Sequence, residues 1–274
     1  HDYDRINRAL ENAKKSDVPV FIQCKTEIGQ GNSVAGTSKA HGFGVGDAEL
    51  MQLVQKFISV CGDELWRNVA MEQMPVVSGE TKYELPHVAL PAVADKISTR
   101  ELSGLYLDAL LRAGGNVIGG SADLGGSTGV HVDEMHDVAA NDFSGNYINF
   151  GVREGAMAAI LNGMALSGLR VFGSTFLVFS DYMRPAMRLS ALMGVPVVYV
   201  LTHDSVAVGE DGPTHQPIEQ LPSLRMIPNM NVFRPCNGVE VVYAWRRALT
   251  EKARPSCIIL SRQKFKQYAA PLGA

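Results

Sequence analysis

The sequence has few cysteines and no pattern that pairs them. Cys24, Cys61, Cys236 and Cys257 are scattered over 274 residues without a Cys-x-x-Cys motif. This spacing argues against a disulfide framework or a zinc site and favours reduced thiols in a cytoplasmic protein. Long apolar runs are missing too, because none approaches the roughly 20 residues that a membrane-spanning helix needs. We therefore expect no contact with a membrane.

A strong excess of charge of either sign is also absent. The formal net charge is −3 and charged residues make up 19% of the chain, so there is no electrostatic reason to expect nucleic acid as a partner. An anionic ligand would have to be held by local groups. Apolar residues make up 46% of the chain, which is ordinary for a globular protein with one large domain or a domain plus an appendage.

The first seventy residues carry mixed signals. Residues 3–15 have helical apolar spacing, the apolar run 18–24 predicts a buried strand, and 47–70 predicts one or two short helices. Glycine, serine, asparagine and threonine dominate residues 29–46, which is typical of a loop. The chain begins at His1 in a helical pattern without an initiator methionine, so we expect it to be a piece of a longer polypeptide.

From Ser98 onward, helices alternate with short strands rich in β-branched residues. The predicted strands span residues 116–120, 147–149, 170–174, 196–201, 231–233 and 256–260. The alternation predicts an α/β fold, a parallel sheet with helices on both faces. Ligands of such sheets bind beyond the carboxyl ends of the strands, so the loops that follow strands are the expected place of a functional site.

Residues 149–163 predict a strand end that turns at Gly151 into a helix with Glu154 in its first turn. An acid in this position can simply complement the helix N-terminus. The alternative is a functional carboxyl group held out of bulk water, since an apolar strand precedes Glu154 and alanine, methionine and isoleucine follow it. Burial raises the pKa of such a carboxyl group and a helix N-terminus lowers it, so the two effects oppose each other.

The loop 202–217 places two histidines, three acids and two glycines in sixteen residues after a strand. It fits either a long surface loop or a functional loop, and its length and polarity favour function. His203 and His215 are not at the helical spacing of metal ligands, and no third ligand is evident. Polar contacts with a hydroxylated substrate therefore fit these side chains better than a metal does.

Three aromatic residues and two arginines remain ambiguous from spacing alone. Phe176, Phe179 and Tyr182 lie three residues apart and share one face of a helix or turn, as either a core stripe or a pocket that stacks on a flat heterocycle. Arg100 and Arg262 each lie near the end of a helix or strand. A guanidinium there either holds a phosphate through two hydrogen bonds or forms a surface salt bridge.

Taken together, seven motifs resemble those of the transketolase family and occur in the family's order over about residues 98–265. They are Gly119–Leu124, Gly151–Glu154, Thr175–Phe179, Arg188–Leu192, Thr202–Ser205, Gly209–Pro217 and Ser261–Gln263. Residues 1–60 resemble the end of the family's first domain, including a His-Gly element at His41-Gly42.

The resemblance implies a thiamine diphosphate enzyme of the pentose phosphate pathway, which reversibly transfers a two-carbon ketol unit between sugar phosphates. It also implies that Glu154 hydrogen-bonds a pyrimidine nitrogen of the cofactor. The cofactor's amino group then removes the C2 proton of the thiazolium and leaves the ylide that attacks the ketose. The cofactor thus carries the carbanion chemistry, and the protein sets its tautomer and position.

The resemblance also assigns the other site residues. The residues that match the pyrimidine pocket and another cofactor contact are Phe176, Phe179, Tyr182 and Asp123. Those that match groups around the substrate phosphate are Arg100, Ser127, His203 and Arg262. Asp211 matches a group that binds the sugar hydroxyls. His41 and His215 match histidines that contact the substrate and help to transfer protons.

The same resemblance predicts the domain organisation. Residues 1–70 would be the C-terminal remnant of the diphosphate-binding domain, 71–97 a linker and 98–267 the pyrimidine-binding domain. Residues 268–274 would begin a linker to a C-terminal domain that this chain does not contain. In the family the active site lies between subunits, so we expect a homodimer with its site at the interface.

Two departures from the family pattern matter. Gly155 stands where family members commonly have histidine, so looser packing is expected beside Glu154. The chain also lacks the Gly-Asp-Gly and downstream asparagine with which the family holds Mg²⁺ (or Ca²⁺) and the cofactor diphosphate. Metal-mediated anchoring supplies much of the hold on a diphosphate. We therefore expect this chain alone to bind thiamine diphosphate weakly and to lack activity.

Other functions fit parts of the same pattern. Dihydroxyacetone synthase is similar enough that only donor and acceptor assays would separate it. Deoxyxylulose-phosphate synthase and the β subunits of 2-oxoacid dehydrogenases are more distant. A different class of function is a non-catalytic partner subunit, which completes a site only together with a separate diphosphate-binding chain.

Overall fold

The computed structural model describes residues 2–37, 40, 46–62 and 96–266. The chain divides into two compact units, His1–Pro75 and Val76–Ala274. In the described ranges, no helix combines the length and the apolar character that crossing a membrane requires.

The described residues of the first unit form the helices α1 (Tyr3–Ala13) and α2 (Asp47–Cys61). This confirms the helical predictions for these residues, and the predicted helical residues 63–70 lie outside the described part of the chain. The prediction of a buried strand at 18–24 is wrong, because this segment is irregular and Phe21 is 89% exposed. A strand is stabilised by hydrogen bonds to a neighbouring strand. None of the described residues pairs with this run, so its apolar composition alone does not make it β-structure.

The second unit is built on a six-stranded sheet whose strands are β2 (Ile118–Ser121), β3 (Tyr147–Asn149), β4 (Val171–Phe176), β5 (Val198–Thr202), β6 (Asn231–Phe233) and β7 (Ser256–Ile259). All neighbouring strands are parallel, and their order in the sheet is β3-β2-β4-β5-β7-β6. A short antiparallel pair, β1 (Lys96–Ile97) with β8 (Phe265–Lys266), lies outside this sheet. The predicted parallel α/β architecture is confirmed.

Helices cover both faces of the sheet. They are α3 (Thr99–Arg112), α4 (Gly125–Thr128), α5 (Glu154–Leu166), α6 (Ser180–Met193), α7 (Gln220–Arg225) and α8 (Gly238–Thr250). The two faces are separated by the alternation of side chains along each strand. On β5, Val198 and Val200 pack in a cluster with α3 and α8, whereas Tyr199 and Leu201 pack in a cluster with α5 and α6. Burying each such side chain stabilises the fold by roughly 1.5–3 kcal/mol.

The start of α3 is fixed by a capping box. The Ser98 side chain accepts a hydrogen bond from the Glu101 amide (3.3 Å), and the Glu101 carboxylate accepts one from the Ser98 amide (2.9 Å). Thr99 then links α3 to the residue beyond β7, because the Ser261 amide donates to the Thr99 hydroxyl (2.7 Å). These contacts hold the beginning of α3 against the carboxyl end of β7.

Candidate active site

The described residues that the sequence singled out lie around the carboxyl edge of the sheet. This follows from the fold, because the loops after parallel strands all leave the sheet at the same edge. Asp123 follows β2, Glu154 follows β3 and its turn, and His203 follows β5 directly. His41 lies outside the described residues.

Two of these loops begin with a left-handed backbone conformation. Asp123 has φ 63° and His203 has φ 59°, values that are uncommon for residues with a β carbon, although aspartate and histidine adopt them more often than most. The turn at Asp123 is braced by Ser121, whose hydroxyl donates to the Ser174 carbonyl (2.9 Å) and accepts from the Leu124 amide (3.1 Å). Each left-handed residue turns the chain sharply away from its strand.

Glu154 is the first residue of α5 and is only 8% exposed. The sequence-based interpretation of an acid at a helix start, withheld from bulk water, is therefore confirmed. Glu154 lines a cavity of about 490 Å³. The other residues that line this cavity are Ala122, Asp123, Leu124, Val152, Phe179 and Tyr182. Two carboxyl groups, those of Glu154 and Asp123, thus line a pocket whose other walls are apolar or aromatic.

Gly155 sets the distance between α5 and α6. A β carbon at this position would lie 3.1 Å from the carbonyl oxygen of Tyr182, which is tighter than an ordinary van der Waals contact. The looser packing expected beside Glu154 stays a prediction, since this contact shows only that the absent side chain lets α5 and α6 approach each other closely. The result is that Glu154 and Tyr182 line the same cavity.

The three aromatic residues form one stacked row. The rings of Phe176 and Phe179 are 5.9 Å apart at 11°, and those of Phe179 and Tyr182 are 6.3 Å apart at 25°. Exposure rises along the row from 6% at Phe176 to 67% at Tyr182. The row is therefore not simply a core stripe, since its outer two members line the cavity while Phe176 is buried behind them.

Two histidines contact the inner end of this row. The His203 ring stacks on Phe176 with ring centres 3.6 Å apart. The His215 ring meets Phe176 and Phe179 edge-on, at 5.9 and 5.2 Å. His215 is also 2.8 Å from the Thr214 hydroxyl through Nδ1. The rings thus connect the cavity with the loop 202–217.

The imidazole of His203 is buried and uncharged at neutral pH. Burial, and to a smaller extent the positive charge of Arg100, lowers the pKa of His203 to about 4, although Asp211 opposes this change. Its Nδ1 lies 2.9 Å from the Thr202 hydroxyl, and its Nε2 lies 3.8 Å from Asp211 Oδ2. A neutral ring in this position offers a ligand a hydrogen bond without adding a positive charge.

The two guanidinium groups predicted to bind phosphate lie close together. Arg100 donates to the carbonyl oxygen of Ser127, so in this structure Ser127 contributes its backbone rather than its hydroxyl. Burial lowers the pKa of Arg100, and the charge of Arg262 lowers it further. Arg100 of α3 therefore lies within electrostatic range of Arg262 in the segment beyond β7.

Asp211 faces this cluster from the loop 202–217. Its Oδ2 is buried, has no hydrogen-bond partner among the described residues, and is 3.8 Å from both His203 Nε2 and Arg262 Nε. A buried acceptor without a donor is energetically costly. A sugar hydroxyl group is a donor of suitable chemistry for this oxygen.

Sequence reasoning missed two parts of this region. The first is the ion pair between Glu210 and Arg262 (2.5 Å), which joins loops that are 52 residues apart. The second is a buried polar network in which the Ser190 hydroxyl donates to Asn162 Oδ1 (2.6 Å) and lies 2.7 Å from the Tyr199 hydroxyl. It ties α5 to α6 and β5. The available signal was a lone asparagine among the apolar residues of α5.

Within the parts of the chain that the structure describes, no group of three or more histidine, cysteine, aspartate or glutamate side chains is arranged to hold a metal ion.

Two family models match the chain. The model of the transketolase pyrimidine-binding domain matches residues 95–267, and that of the transketolase thiamine diphosphate-binding domain matches residues 1–60. Among curated relatives, the transketolase of Sinorhizobium medicae is 40% identical over 96% of this chain and 43% of its own length. The chain therefore spans less than half the length of this relative.

Solved structures show the same fold. The transketolase from Leishmania mexicana superposes with a TM-score of 0.73 and 35% identity, over 98% of this chain and 46% of that one. A structure described as the inactive β4 tetramer of a split gene transketolase superposes with a TM-score of 0.53 and 28% identity, over 65% of this chain and 56% of that one.

Proposed function

The chain belongs to the transketolase family, and from this premise we propose that it forms the pyrimidine-binding side of a transketolase active site. The proposed reaction is the reversible transfer of a two-carbon ketol unit from a ketose phosphate to an aldose phosphate, in the cytoplasm and within the pentose phosphate pathway. The observation that best supports this proposal is that the buried Glu154 faces a cavity lined by stacked aromatic rings.

The cavity fits the pyrimidine end of thiamine diphosphate. Its volume of about 490 Å³ lies within the range of small-molecule sites, which are mostly apolar with few, well-placed polar groups. Phe179 and Tyr182 offer ring faces for stacking, with Phe176 behind them, and Asp123 lies at the rim. When bound, thiamine diphosphate supplies the carbanion chemistry that protein side chains lack.

In this proposal Glu154 holds a proton at its carboxyl group and donates it to a pyrimidine nitrogen. Helix α5 fixes where the carboxyl group lies, and the apolar walls exclude water from it. The Mg²⁺ or Ca²⁺ that accompanies the cofactor diphosphate is assigned to the family's diphosphate-binding domain. The chain alone is accordingly proposed to be inactive.

The substrate site is proposed beside this cavity. Arg100, Arg262 and His203 bind the sugar phosphate, and Ser127 positions Arg100 through its carbonyl group. Asp211 accepts a hydrogen bond from a sugar hydroxyl. His215, held against the aromatic row, and His41 contact the substrate and assist proton transfer. The proximity of the two guanidinium groups to the buried Asp211 oxygen supports this arrangement.

A homodimer is the proposed assembly. Val152 and Tyr182 line the cavity, yet they are 76% and 67% exposed. Exposed apolar surface around a binding site is typical of an interface. A second subunit that covers these side chains would complete the pocket, and sedimentation velocity of the full-length protein would measure the assembly.

Glu154→Gln tests the proposed function in the full-length enzyme. Glutamine keeps the size of the side chain but cannot supply the proton, so ketol transfer should fall by at least about 10²-fold while the oligomeric state stays unchanged. Product formation is measured with a ketose phosphate donor and an aldose phosphate acceptor. Near-normal transfer by the variant would refute the assignment of Glu154.

A second candidate function is a partner subunit of a split enzyme, which the similarity to a split gene transketolase favours. In that case the chain completes a site only with a separate diphosphate-binding chain. Stop and start codons that bracket this segment in the gene would support it, whereas an uninterrupted reading frame on both sides would exclude it. Assays with alternative donors and acceptors separate transketolase from dihydroxyacetone synthase activity.

A further inference from the structure

Two carboxylates already surround the guanidinium group of Arg262. Glu210 Oε1 lies 2.5 Å from Nη2, and Asp211 Oδ2 lies 3.8 Å from Nε. Arginine binds a phosphate best through two parallel N–H groups of its planar fork. An arriving phosphate therefore finds Nη2 of Arg262 already hydrogen-bonded to one carboxylate and a second carboxylate close to Nε.

The local charges are balanced before any anion binds. Arg100 and Arg262 supply two positive charges, and Glu210 and Asp211 supply two negative ones. Glu101, the other acid near Arg100, is paired with Lys264 at 2.9 Å. Removing one carboxylate from this group would leave a net positive charge at the place where a phosphate is expected.

The side chains of Glu210 and Asp211 differ in how easily they can move away from Arg262. Glu210 is a side chain with 77% exposure, whereas Asp211 is 29% exposed and has a buried oxygen. Glu210 can therefore turn into solvent without leaving a buried charge behind. The backbone hydrogen bond at Glu210 and the charge of Arg262 lower the pKa of its carboxyl group, so it is ionised at neutral pH and remains a true competitor of an anion.

Glycines with positive φ flank the pair on both sides. Gly209 has φ 74° and ψ −125°, and Gly212 has φ 77° and ψ −173°. Residues with a β carbon rarely adopt such values. The two glycines set the direction in which the Glu210-Asp211 dipeptide points, and they allow it to reorient with little steric cost.

We propose that Glu210 is an internal counter-ion that competes with the substrate phosphate for Arg262 and thereby sets the preference for phosphorylated over unphosphorylated sugars. The proposal rests on the proposed function, because it concerns the same phosphate site. Glu210 keeps Arg262 oriented between turnovers. By returning to the guanidinium, it also helps a phosphorylated product to leave.

The test is Glu210→Gln in the full-length holoenzyme, with inorganic phosphate as the probe. Calorimetry at moderate ionic strength, about 0.1 M, should show phosphate binding that is tighter by about fivefold, the size expected for removing one exposed competing ion pair. KM for a ketose phosphate should fall by a similar factor, while KM for the unphosphorylated ketose should change by less than about twofold.

Asp133→Asn is the matched control. It removes one negative charge from a side chain that is 95% exposed and lies beside Arg112, at the far end of α3 from Arg100. Arg100 and Arg112, near opposite ends of α3, are separated by about 18 Å along the helix. This distance exceeds the screening length at moderate salt. This variant should leave phosphate binding unchanged, and an equal gain in both variants would overturn the proposal.

The same comparison in an Arg262→Ala variant tests whether the effect of Glu210→Gln depends on the guanidinium group. Without the guanidinium, Glu210→Gln should no longer tighten phosphate binding, and the two changes should be strongly non-additive. Unchanged phosphate binding in Glu210→Gln alone would show that Glu210 does not compete for Arg262. Weaker binding would show that Glu210 supports the site, and either result would overturn the proposal. Phosphate binding is measured without turnover, so this result is independent of the Glu154→Gln test of ketol transfer.

Discussion

Arg262 is the side chain on which binding of the sugar phosphate should depend most directly. Arg262→Ala removes a charge-assisted contact of about 1.5–3 kcal/mol, so KM for a phosphorylated ketose should rise roughly tenfold or more. KM for the same sugar without its phosphate should change little, because the contacts that bind the sugar itself are unchanged. Steady-state kinetics of the full-length enzyme with both donors measure the difference.

The control for Arg262→Ala is Arg254→Ala. Arg254 is exposed and precedes β7, at the amino edge of the sheet, so its loss should affect neither donor. If Arg262→Ala raised KM equally for the two sugars, Arg262 would not belong to the phosphate site.

His203 should make the stability of the protein depend on pH. Burial and the charge of Arg100 lower the pKa of His203 from 6.5 to about 4. The unfolded state therefore binds more protons than the folded state between these values, and the free energy of unfolding decreases as pH falls from about 6.5 to about 4. In His203→Gln this decrease should be smaller by about 1–3 kcal/mol.

Urea unfolding at several pH values measures this difference. The exposed His136, changed to glutamine, is the control and should retain the pH dependence of the unaltered protein. Parallel pH profiles for His203→Gln and the unaltered protein would mean that His203 is not kept neutral by the fold.

Residue by residue, the sequence could indicate which side chains belong to the site but not how they pair. His203 and Asp211 come from one polar loop, so their proximity follows from the loop itself. Arg262 reaches the same place only because β5 and β7 are neighbours in the sheet. The engagement of Arg262 by Glu210 is a tertiary contact with no local pattern, and it could not be read from spacing.

At the scale of elements, the type of each element was predictable and its ends were less so. The strand predicted at 170–174 continues to Phe176, because Thr175 and Phe176 pair with Leu201 and Thr202 of β5. Pairing also explains the error at 18–24, where a β-like composition has no partner strand among the described residues. Helix starts were easier, since caps such as Ser98 act locally.

Replacing glycine by alanine should have opposite effects on stability in β2 and in α5. A β carbon on Gly120 would lie 1.9 Å from the Ile148 carbonyl oxygen of β3. Gly120→Ala therefore forces the two strands apart and should lower the free energy of unfolding by about 3 kcal/mol or more. Gly163 in α5 has no atom within 4 Å of such a carbon. Gly163→Ala should therefore stabilise the protein by about 0.5–1 kcal/mol.

Chemical denaturation of both variants measures these changes, and the Gly163 variant is the control for the Gly120 variant. A Gly120→Ala protein as stable as the unaltered one would contradict the close approach of β2 and β3 at the edge that carries Asp123.

At the scale of the whole molecule, we expect the chain to provide one side of the proposed cofactor site. It provides the cavity at Glu154, whereas the family resemblance implies a Gly-Asp-Gly motif for the diphosphate and its metal, and this sequence lacks that motif. The model of the thiamine diphosphate-binding domain matches residues 1–60. Recognition of the pyrimidine and anchoring of the diphosphate are thus separable contributions to affinity.

This separation predicts the result of titrating the chain with thiamine diphosphate and Mg²⁺. Stacking and one hydrogen bond contribute only a few kcal/mol, much of which offsets the entropy cost of association, so calorimetry should give a dissociation constant of about a millimolar or weaker. Adding a diphosphate-binding domain should tighten binding strongly, and Glu154→Gln should weaken that gain. Sub-micromolar binding by the chain alone would show that its own residues anchor the diphosphate, and the assignment of that task to another domain would fail.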